Sequence, residues 1–284
     1  MNTTMNKKFL VAGILLMTLG FFLIASSIAQ AQSQNEFVVP LSDPSQRARV
    51  KAHLNYGSIT VKGTGRKDVL VKYSSDKEDE DEDRDRDESS SRTGLKKIGG
   101  GGMDLEVTEN KNEVNIHSNS WHHKINLDIE IPAGADLELH TYNGGDLMVT
   151  NVQGEVALTN YNGEITALNV SGSVVASTYN GEIKVTFDKV TADTPMSFST
   201  FNGDIDLTFP ASLKASLKMK TEQGEIFTGF DNVNITSSGP VQKKDTQGGV
   251  YKVVIDDWKR AEINGGGPEI TMKNYNGDIL VRKK

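Results

Sequence analysis

Beyond residue 35 the chain alternates hydrophobic and polar residues with a period of two. The segment KINLDIEIP carries its apolar residues on one face, at Ile125, Leu127, Ile129 and Ile131. The segment SLKASLKMK has the same arrangement, at Leu213, Ala215, Leu217 and Met219. Strands that bury one face and expose the other have this pattern. No segment after the N-terminal apolar run shows the i, i+3, i+4 spacing of a helix, so the pattern predicts an all-β protein.

Glycines interrupt the alternation at regular intervals. Gly144, Gly154, Gly163, Gly172 and Gly181 follow one another after 10, 9, 9 and 9 residues. Every second glycine completes an aromatic-Asn-Gly signature, and the copies are Tyr142-Asn143-Gly144, Tyr161-Asn162-Gly163, Tyr179-Asn180-Gly181, Phe201-Asn202-Gly203 and Tyr275-Asn276-Gly277. Two weaker copies are Thr221-Glu222-Gln223-Gly224 and Asn55-Tyr56-Gly57. The signature indicates an internal repeat of about 20 residues that contains two turns and two short strands.

Asn-Gly is a turn signal because both residues tolerate positive φ. Turns at this spacing fit either an antiparallel meander or barrel, or a solenoid in which each turn of chain stacks on the one before. A meander does not require that alternate turns resemble each other, whereas stacked equivalent residues form ladders about 4.8 Å apart. We therefore predict a parallel β-solenoid, or β-helix-like fold, with repeats of about 20 residues and two or more short strands per rung.

The first 31 residues have the features of an export signal. Lys7 and Lys8 precede an apolar run at 9–24, and Ala29-Gln30-Ala31 fits an A-x-A cleavage site. We predict a signal peptide at 1–31, although an uncleaved membrane anchor is the alternative. Residues 32–284 then form a single domain without a membrane span, exported to the periplasm, the cell surface or the medium. The chain has no cysteine, which excludes disulfides and thiolate metal sites.

One segment has a composition that cannot bury a core. Residues 76–88 hold ten acidic and three basic residues, and serines and four consecutive glycines follow. We predict a disordered acidic and glycine-rich insert at 74–102. The run lacks the spacing of an EF-hand loop, so a specific Ca²⁺ site is not expected.

The signal, the opening EFVVPLSDPSQRARVKAHLNYGSITVKG and the recurring Y-N-G-[ED]-[IL] turns resemble the bacterial "putative adhesin" domain family. This family is related to the auto-transporter adhesin head, or GIN, domains. The resemblance covers about residues 36–281. It implies an exported β-solenoid, and it supplies no catalytic or binding residues to transfer.

The clearest candidate site is an aromatic ladder. Counting inward and outward positions along the strands places Thr141 inward and the aromatic residues outward. The predicted ladder consists of Tyr142, Tyr161, Tyr179 and Phe201, with Asp146, Glu164, Glu182 and Asp204 beside it. It is either a docking stripe for sugar rings or a protein partner, or a purely structural stack that covers the turns.

The sequence contains little evidence for a nucleic acid, metal or catalytic site. The net charge is −7, or −9 without the two signal lysines, and no basic cluster suggests nucleic acid binding. His122 and His123 could bind a soft metal but lack a third ligand, and we expect Trp121 to cap one end of the core. No catalytic residues and no cofactor are predicted.

The functional hypothesis is an exported, non-catalytic, adhesin-like or partner-binding surface in the cell envelope, whose partner is an unknown envelope protein or glycan. The alternatives are a periplasmic scaffold of envelope stress or assembly, and a carbohydrate-active β-helix enzyme. Self-association is expected if the terminal strand edges are left uncapped.

Overall fold

The alternating segments of the sequence form β-strands. The computed structural model describes residues 35–76, 104–191, 194–237, 241–247 and 250–284. Within these ranges the chain forms 23 strands, and no described segment is a helix long and apolar enough to cross a membrane. The protein is all-β, as the sequence predicts.

The strands have the following bounds in chain order. They are β1 (Glu36–Pro40), β2 (Arg49–Tyr56), β3 (Ile59–Thr64), β4 (Asp68–Asp76), β5 (Glu106–Asn110), β6 (Glu113–Ser118), β7 (Lys124–Pro132), β8 (Asp136–Asn143), β9 (Leu147–Thr150), β10 (Val156–Asn160), β11 (Ile165–Gly172), β12 (Val174–Ser177), β13 (Ile183–Val190), β14 (Met196–Ser199), β15 (Ile205–Phe209), β16 (Ala215–Lys220), β17 (Ile226–Thr228), β18 (Val233–Ser237), β19 (Val241–Gln247), β20 (Val250–Asp256), β21 (Lys259–Ile263), β22 (Glu269–Lys273) and β23 (Ile279–Lys283).

Two large sheets contain all of these strands except the β19–β20 hairpin. The first sheet has the order β1-β4-β7-β3-β9-β11-β13-β15-β23-β17, and the second has the order β18-β21-β16-β22-β14-β12-β10-β8-β2-β6-β5. Through most of both sheets neighbouring strands are parallel. Val156 lies opposite Val174, for example, and Ile183 lies opposite Ile205. The fold is therefore β-solenoid-like.

A rung here means one strand of the second sheet and the strand of the first sheet that follows it in the chain. The inward residues of both strands fill a continuous apolar core. Its largest side chains include Phe187, Phe198 and Phe209, which are fully buried. The outward residues are mostly polar or small, which matches the period-two pattern.

The spatial order of the rungs differs from their chain order at both ends. The rung β2–β3 lies between β6–β7 and β8–β9, and the C-terminal rung β22–β23 lies between β14–β15 and β16–β17. The expectation that each turn stacks on the preceding one is therefore wrong at these two places. At these inserted positions the strands of β2–β3 and β22–β23 have a hydrogen-bonded neighbour on both sides. At the end of the stack each of them would have one unpaired edge.

Antiparallel strands complete both ends, which corrects the expectation of an all-parallel array. β4 runs antiparallel to β7, and β5 runs antiparallel to β6. At the other end β21 is antiparallel to β16, and β18 is antiparallel to β21. The β5–β6 hairpin turns through Lys111 and Asn112, whose φ values of 52° and 63° suit a two-residue turn between antiparallel strands.

The predicted insert begins later than the sequence suggests. β4 continues to Asp76 because Ser74, Ser75 and Asp76 pair with residues of β7. The rest of the insert, and the predicted signal peptide, lie outside the described residues. Residues Phe37–Lys284 form one compact unit, and Met1–Glu36 form another, of which residues 35 and 36 are described.

Candidate functional site

The aromatic-Asn-Gly turns connect the two sheets at one corner of successive rungs. We call this surface the repeated corner, and its turns comprise residues 141–146, 160–164, 178–182, 200–204 and 274–278. Its glycines allow the rungs to stack closely. A Cβ added at Gly181 would lie 2.1 Å from the carbonyl oxygen of Gly163, and Gly181 has a φ of 156°. A Cβ at Gly203 would lie 2.2 Å from the carbonyl oxygen of Gly181, so a side chain at either position would separate the rungs.

The asparagines form a chain of amide hydrogen bonds along the corner. Asn180 Nδ2 donates to Asn162 Oδ1 at 2.7 Å, and Asn202 Nδ2 donates to Asn180 Oδ1 at 2.7 Å. Asn162 donates to Asn143 and Asn276 donates to Asn202 in the same way, at 2.8 and 2.6 Å. Each inner amide therefore donates to one neighbouring rung and accepts from the other, which holds the turns in register.

A buried polar residue precedes each aromatic residue. The hydroxyls of Thr141, Thr178 and Thr200 donate to the carbonyl oxygens of glycines in the adjacent rung, at 2.8–3.0 Å. Asn160 and Asn274 donate to the equivalent carbonyls at 3.0 and 3.1 Å, while their Oδ1 atoms are buried without a protein partner. The inward position predicted for Thr141 is correct, since Thr141 is fully buried, and these contacts give the residues a structural role.

The aromatic residues lie on the outside of the corner and stack on one another. Tyr142 and Tyr161 have ring centroids 4.7 Å apart, Tyr161 and Tyr179 are 5.1 Å apart, and Tyr179 and Phe201 are 4.9 Å apart. The ring planes deviate from parallel by 4–6°. Each of the four side chains is 37–41% exposed. The structure thus brings the four candidate residues together in a single exposed row.

The row extends at both ends beyond the residues that the sequence suggested. Tyr275 stacks on Phe201 at 4.8 Å and 3°, because its rung is inserted next to β14–β15. At the other end Trp121 contacts Tyr142 edge to face at 5.2 Å and is 54% exposed. Trp121 therefore caps the aromatic row, and the prediction that it caps the core is wrong. We call the six residues Trp121, Tyr142, Tyr161, Tyr179, Phe201 and Tyr275 the aromatic ladder.

In the weak copy Asn55-Tyr56-Gly57 the asparagine and the aromatic residue stand in the reverse order. Leu54 pairs with Thr141 and Tyr56 pairs with Asn143, so Asn55 is level with Tyr142. The ring of Tyr56 occupies the space above Gly144, where an added Cβ would lie 2.1 Å from it. No ring is therefore level with Tyr142 in this rung, and Trp121 of the next rung covers Tyr142 instead. The sequence signal that could have revealed this is the order of the residues, because Asn55 precedes Tyr56 here, whereas the aromatic residue precedes the asparagine in the full copies.

Stacking determines which part of each ring can meet a ligand. The inner rings have a neighbour on both faces at about 5 Å, so their exposed surface consists of ring edges. A sugar that binds by covering an aromatic face would find these faces occupied. The edges instead form a continuous strip of aromatic C–H groups and tyrosine hydroxyls that can pack against another surface.

Acidic residues follow the glycines of the corner, and the aspartates among them are already engaged. Asp146 Oδ1 accepts a hydrogen bond from the Glu164 backbone N–H, and Asp204 Oδ1 accepts one from the Asp278 N–H, both at 2.8 Å. Asp278 Oδ1 accepts one from the Glu225 N–H at 2.8 Å. These carboxylates help to fix the rungs in register and at the same time give the corner negative charge.

Glu182 lies in the middle of this acidic row. Burial raises the pKa of its carboxyl, Lys184 acts in the opposite direction, and the neighbouring carboxylates Glu164, Asp204 and Asp206 raise the pKa further. Burial is thus the main cause of the raised pKa and the neighbouring carboxylates add to it, so a cationic group facing the row would stabilise the ionised form of Glu182.

The histidines do not form a metal centre in the described part of the chain. His53 and His140 lie side by side on the outer face of the second sheet, with ring centroids 4.6 Å apart. Burial lowers the pKa of His140, and the charge of His53 adds to this effect. No group of three potential ligands occurs among the described residues, which include His122 and His123.

Fold and corner together define a class: an all-β, solenoid-like protein with side-chain ladders along one edge. The family model Toastrack DUF4097 matches residues 96–257, more than half of the chain. The chain therefore belongs to the Toastrack DUF4097 family, and its resemblance to an uncharacterised, adhesin-like family is confirmed.

Two solved structures are similar to this chain. A "putative cell adhesion protein" from Clostridium sporogenes ATCC 15579 is 12% identical, with a TM-score of 0.43, over 88% of this chain and 99% of that one. A "putative adhesin" from Bacteroides fragilis NCTC 9343 is 10% identical, with a TM-score of 0.26, over 88% of this chain and 96% of that one. No curated protein matches the sequence.

Proposed function

We propose that the protein is an exported, non-catalytic, adhesin-like protein that uses the repeated corner to dock a partner in the cell envelope. The proposal includes the finer architecture, a parallel β-solenoid with repeats of about 20 residues and two strands per rung. Pairings such as Val156 with Val174 and Ile165 with Ile183, each 18 residues apart, support this architecture. The apolar run and A-x-A site within residues 1–31 support export.

The observation that carries the proposal is the exposure of the aromatic ladder. From Tyr142 to Tyr275 the rings extend over roughly 20 Å at the spacing of adjacent strands. A row of large apolar residues that remains about 40% exposed is a feature of interaction surfaces. Aromatic residues are also enriched at protein–protein interfaces.

The chemistry of the corner favours a protein partner with a basic surface. The exposed ring edges can pack against apolar side chains of a protein. The ring faces, on which a sugar ring would stack, are covered by the neighbouring rings. The acidic row beside it, with the raised pKa of Glu182, favours lysine or arginine on the facing surface. Of the two partner classes that the sequence left open, we therefore infer an envelope protein in preference to a glycan.

The engagement of the acids supports a non-catalytic role. Glycosidases use two carboxylates at a defined separation, one of them with a raised pKa. At this corner Asp146, Asp204 and Asp278 already accept backbone hydrogen bonds from the next rung. These hydrogen bonds hold neighbouring rungs together, which is a structural role.

The proposal is tested with the double variant Tyr161→Ser/Tyr179→Ser. The purified chain without residues 1–31 is incubated with an envelope preparation, and bound and free protein are measured over a concentration series. We expect saturable binding of the native sequence and at least about tenfold weaker binding of the double variant, because two central rings of a hot spot are lost. Binding should also weaken as the salt concentration rises.

The matched control is Met148→Ser/Val175→Ser, which removes two side chains of similar exposure, 41% and 47%, from the outer faces of the two sheets. The control should bind as the native chain does. A panel of envelope glycans in place of the envelope proteins distinguishes the two partner classes. Equal binding of both double variants, or no binding of the native chain, would rule out the docking role.

A further inference from the structure

The two ends of the stack are completed differently. At the N-terminal end both sheets extend beyond the rung β6–β7: the first sheet continues through the antiparallel β4 to β1, and the second through the antiparallel β5. At the C-terminal end, β21 and β18 extend the second sheet beyond the rung β16–β17, whereas the first sheet ends at β17. The second sheet therefore projects two strands further than the first, and this difference forms a step.

The step contains a cleft of about 630 Å³, lined mainly by residues of β16, β17, β18 and β21. Its floor is largely apolar, and its lining also includes the charged residues Lys220, Glu225, Asp257, Lys259 and Arg260. Ile235 pairs with Ala261 and so lies on the same, inward face of the second sheet. Ala261 is 6% exposed, but Ile235 is 68% exposed because no strand of the first sheet lies opposite it. Ile226 and Val233 also line the cleft and are only half-buried.

The two free edge strands at this end, β17 and β18, contain no charged residue. In the described part of the chain, β17 pairs with β23 alone, and its sequence is Ile226-Phe227-Thr228. Within the same ranges β18 pairs with β21 alone. At the opposite end β5 carries Glu106 and Glu109. Charged residues on an edge strand oppose association, whereas an uncharged apolar edge favours it.

We propose that a second copy of this chain fills the step, so that two molecules join through their C-terminal ends. A two-fold axis parallel to the strands would exchange the two sheets. It would place the projecting β18 and β21 of each copy beside β17 of the other copy, in line with the first sheet. The step of each copy is two strands wide, and the two projecting strands of the other copy enter it. One symmetric contact therefore fills the clefts of both copies.

Strand direction permits this joint. β17 runs opposite to β16, because the turn at 221–225, the weak copy that stacks on the repeated corner, connects them. β18 runs in the same direction as β16, since both are antiparallel to β21. The two-fold axis preserves these directions, so β17 would meet the partner copy's β18 as an antiparallel pair. Both edges then gain backbone hydrogen bonds, and Ile235 becomes buried.

The distribution of charge also favours the C-terminal end for contact between copies. Residues 211–284 contain twelve lysine and arginine residues and nine acidic residues, although the whole chain has a net charge of −7. The C-terminal end therefore carries charges of both signs in similar number, and its net charge opposes contact between two copies only weakly. The adjacent β19–β20 hairpin pairs within itself and does not supply a strand to β17 among the described residues.

Sedimentation equilibrium of the chain without residues 1–31 tests the proposal. We expect a dimer for the native sequence and a monomer, or a dimer at least about tenfold weaker, for Ile235→Lys, which places a charge in the joint. Thr228→Lys, an exposed change on β17, should have the same effect from the other side of the contact. Because both residues are exposed, the melting temperature of the monomer should change little.

The control Val175→Lys places the same charge at an exposed site in the middle of the second sheet, 47% exposed, and should leave the dimer intact. A native chain that remains monomeric, whether the β19–β20 hairpin or a different protein fills the cleft, overturns the proposal. A dimer that neither Ile235→Lys nor Thr228→Lys weakens also overturns it. The same holds for a dimer that Val175→Lys weakens equally.

Discussion

The two corners of the stack differ in how far their sequences repeat. The repeated corner has nearly the same residues in successive rungs. At the opposite corner, where the chain passes from the first sheet to the next rung, NVQG at 151–154 is copied once as NVSG at 169–172, but TADTP at 191–195 and PASLK at 210–214 do not continue the copy. Rungs stack at both corners, so stacking by itself does not require a repeated sequence.

The comparison separates the residues that the stacking of the rungs requires from the exposed aromatic residues, which it does not require. Close packing accounts for Gly181 and Gly203, and the amide chain accounts for the asparagines. Neither requirement calls for an exposed ring on the outside of the same turns. The aromatic ladder is thus the part of the repeat that local structure explains least, and it is the part that we assign to binding.

The largest expected difference follows from a single methyl group, added either at the closely packed Gly181 or at Gly134, which is an open position although Gly154 and Gly172 at the same corner are closely packed. Gly181→Ala should destabilise the protein by about 3–5 kcal/mol, because the new Cβ overlaps the Gly163 carbonyl and the backbone has positive φ. Gly134→Ala at the opposite corner, where an added Cβ meets no atom within 4 Å, should change stability by less than about 0.5 kcal/mol. Urea denaturation measures both values, and similar values for the two variants would contradict the close stacking of the repeated corner.

The amide chain should give a smaller difference. Asn180→Ala removes the hydrogen bonds to Asn162 and Asn202 and should cost about 2 kcal/mol. The control is Gln153→Ala, an exposed position at the opposite corner, where we expect no more than about 0.5 kcal/mol. The same denaturation experiment applies, and a negligible cost for Asn180→Ala would show that the amides do not hold the rungs together.

The smallest expected effect concerns the charge of the corner. Because the pKa of Glu182 is raised on folding, the folded state holds this proton more tightly, and stability falls as the pH rises from near 4.5 through the raised value. Glu182→Gln should therefore melt about 1–2 °C higher than the native chain at pH 7. Below pH 4 the difference should disappear. Glu155→Gln at the opposite corner should melt as the native chain does at both pH values, and a destabilising effect of Glu182→Gln at pH 7 would contradict repulsion within the acidic row.

Much of the repeated corner could be predicted from the sequence because its determinants are local. Alternation indicates which residues are buried, and Asn-Gly marks the turns, so the outward positions of Tyr161 and Tyr179 follow from counting. The identity of the repeats also favours parallel stacking over a meander. These inferences depend on residues within one rung and its immediate copy.

The order of the rungs could not be predicted from the same signals. The turn around Tyr275 resembles the turns before it, and nothing in its residues indicates that it inserts between the turns of Phe201 and Gln223. The role of Trp121 depends in turn on the reversed order of Asn55 and Tyr56. The spatial order of the rungs depends on which strand edge each rung pairs with. In a repetitive sequence these edges resemble each other, so the sequence does not indicate the choice.

Hydroxyl-radical footprinting of the chain bound to envelope proteins tests the docking role of the repeated corner most directly, since aromatic and methionine side chains report their own exposure. Binding should reduce oxidation of Tyr161, Tyr179 and Phe201 several-fold and leave Met148, on the outer face of the first sheet, unchanged. Unaltered oxidation of the three rings in the bound state, or protection of Met148 to the same extent, would contradict the assignment of the aromatic ladder as the binding surface.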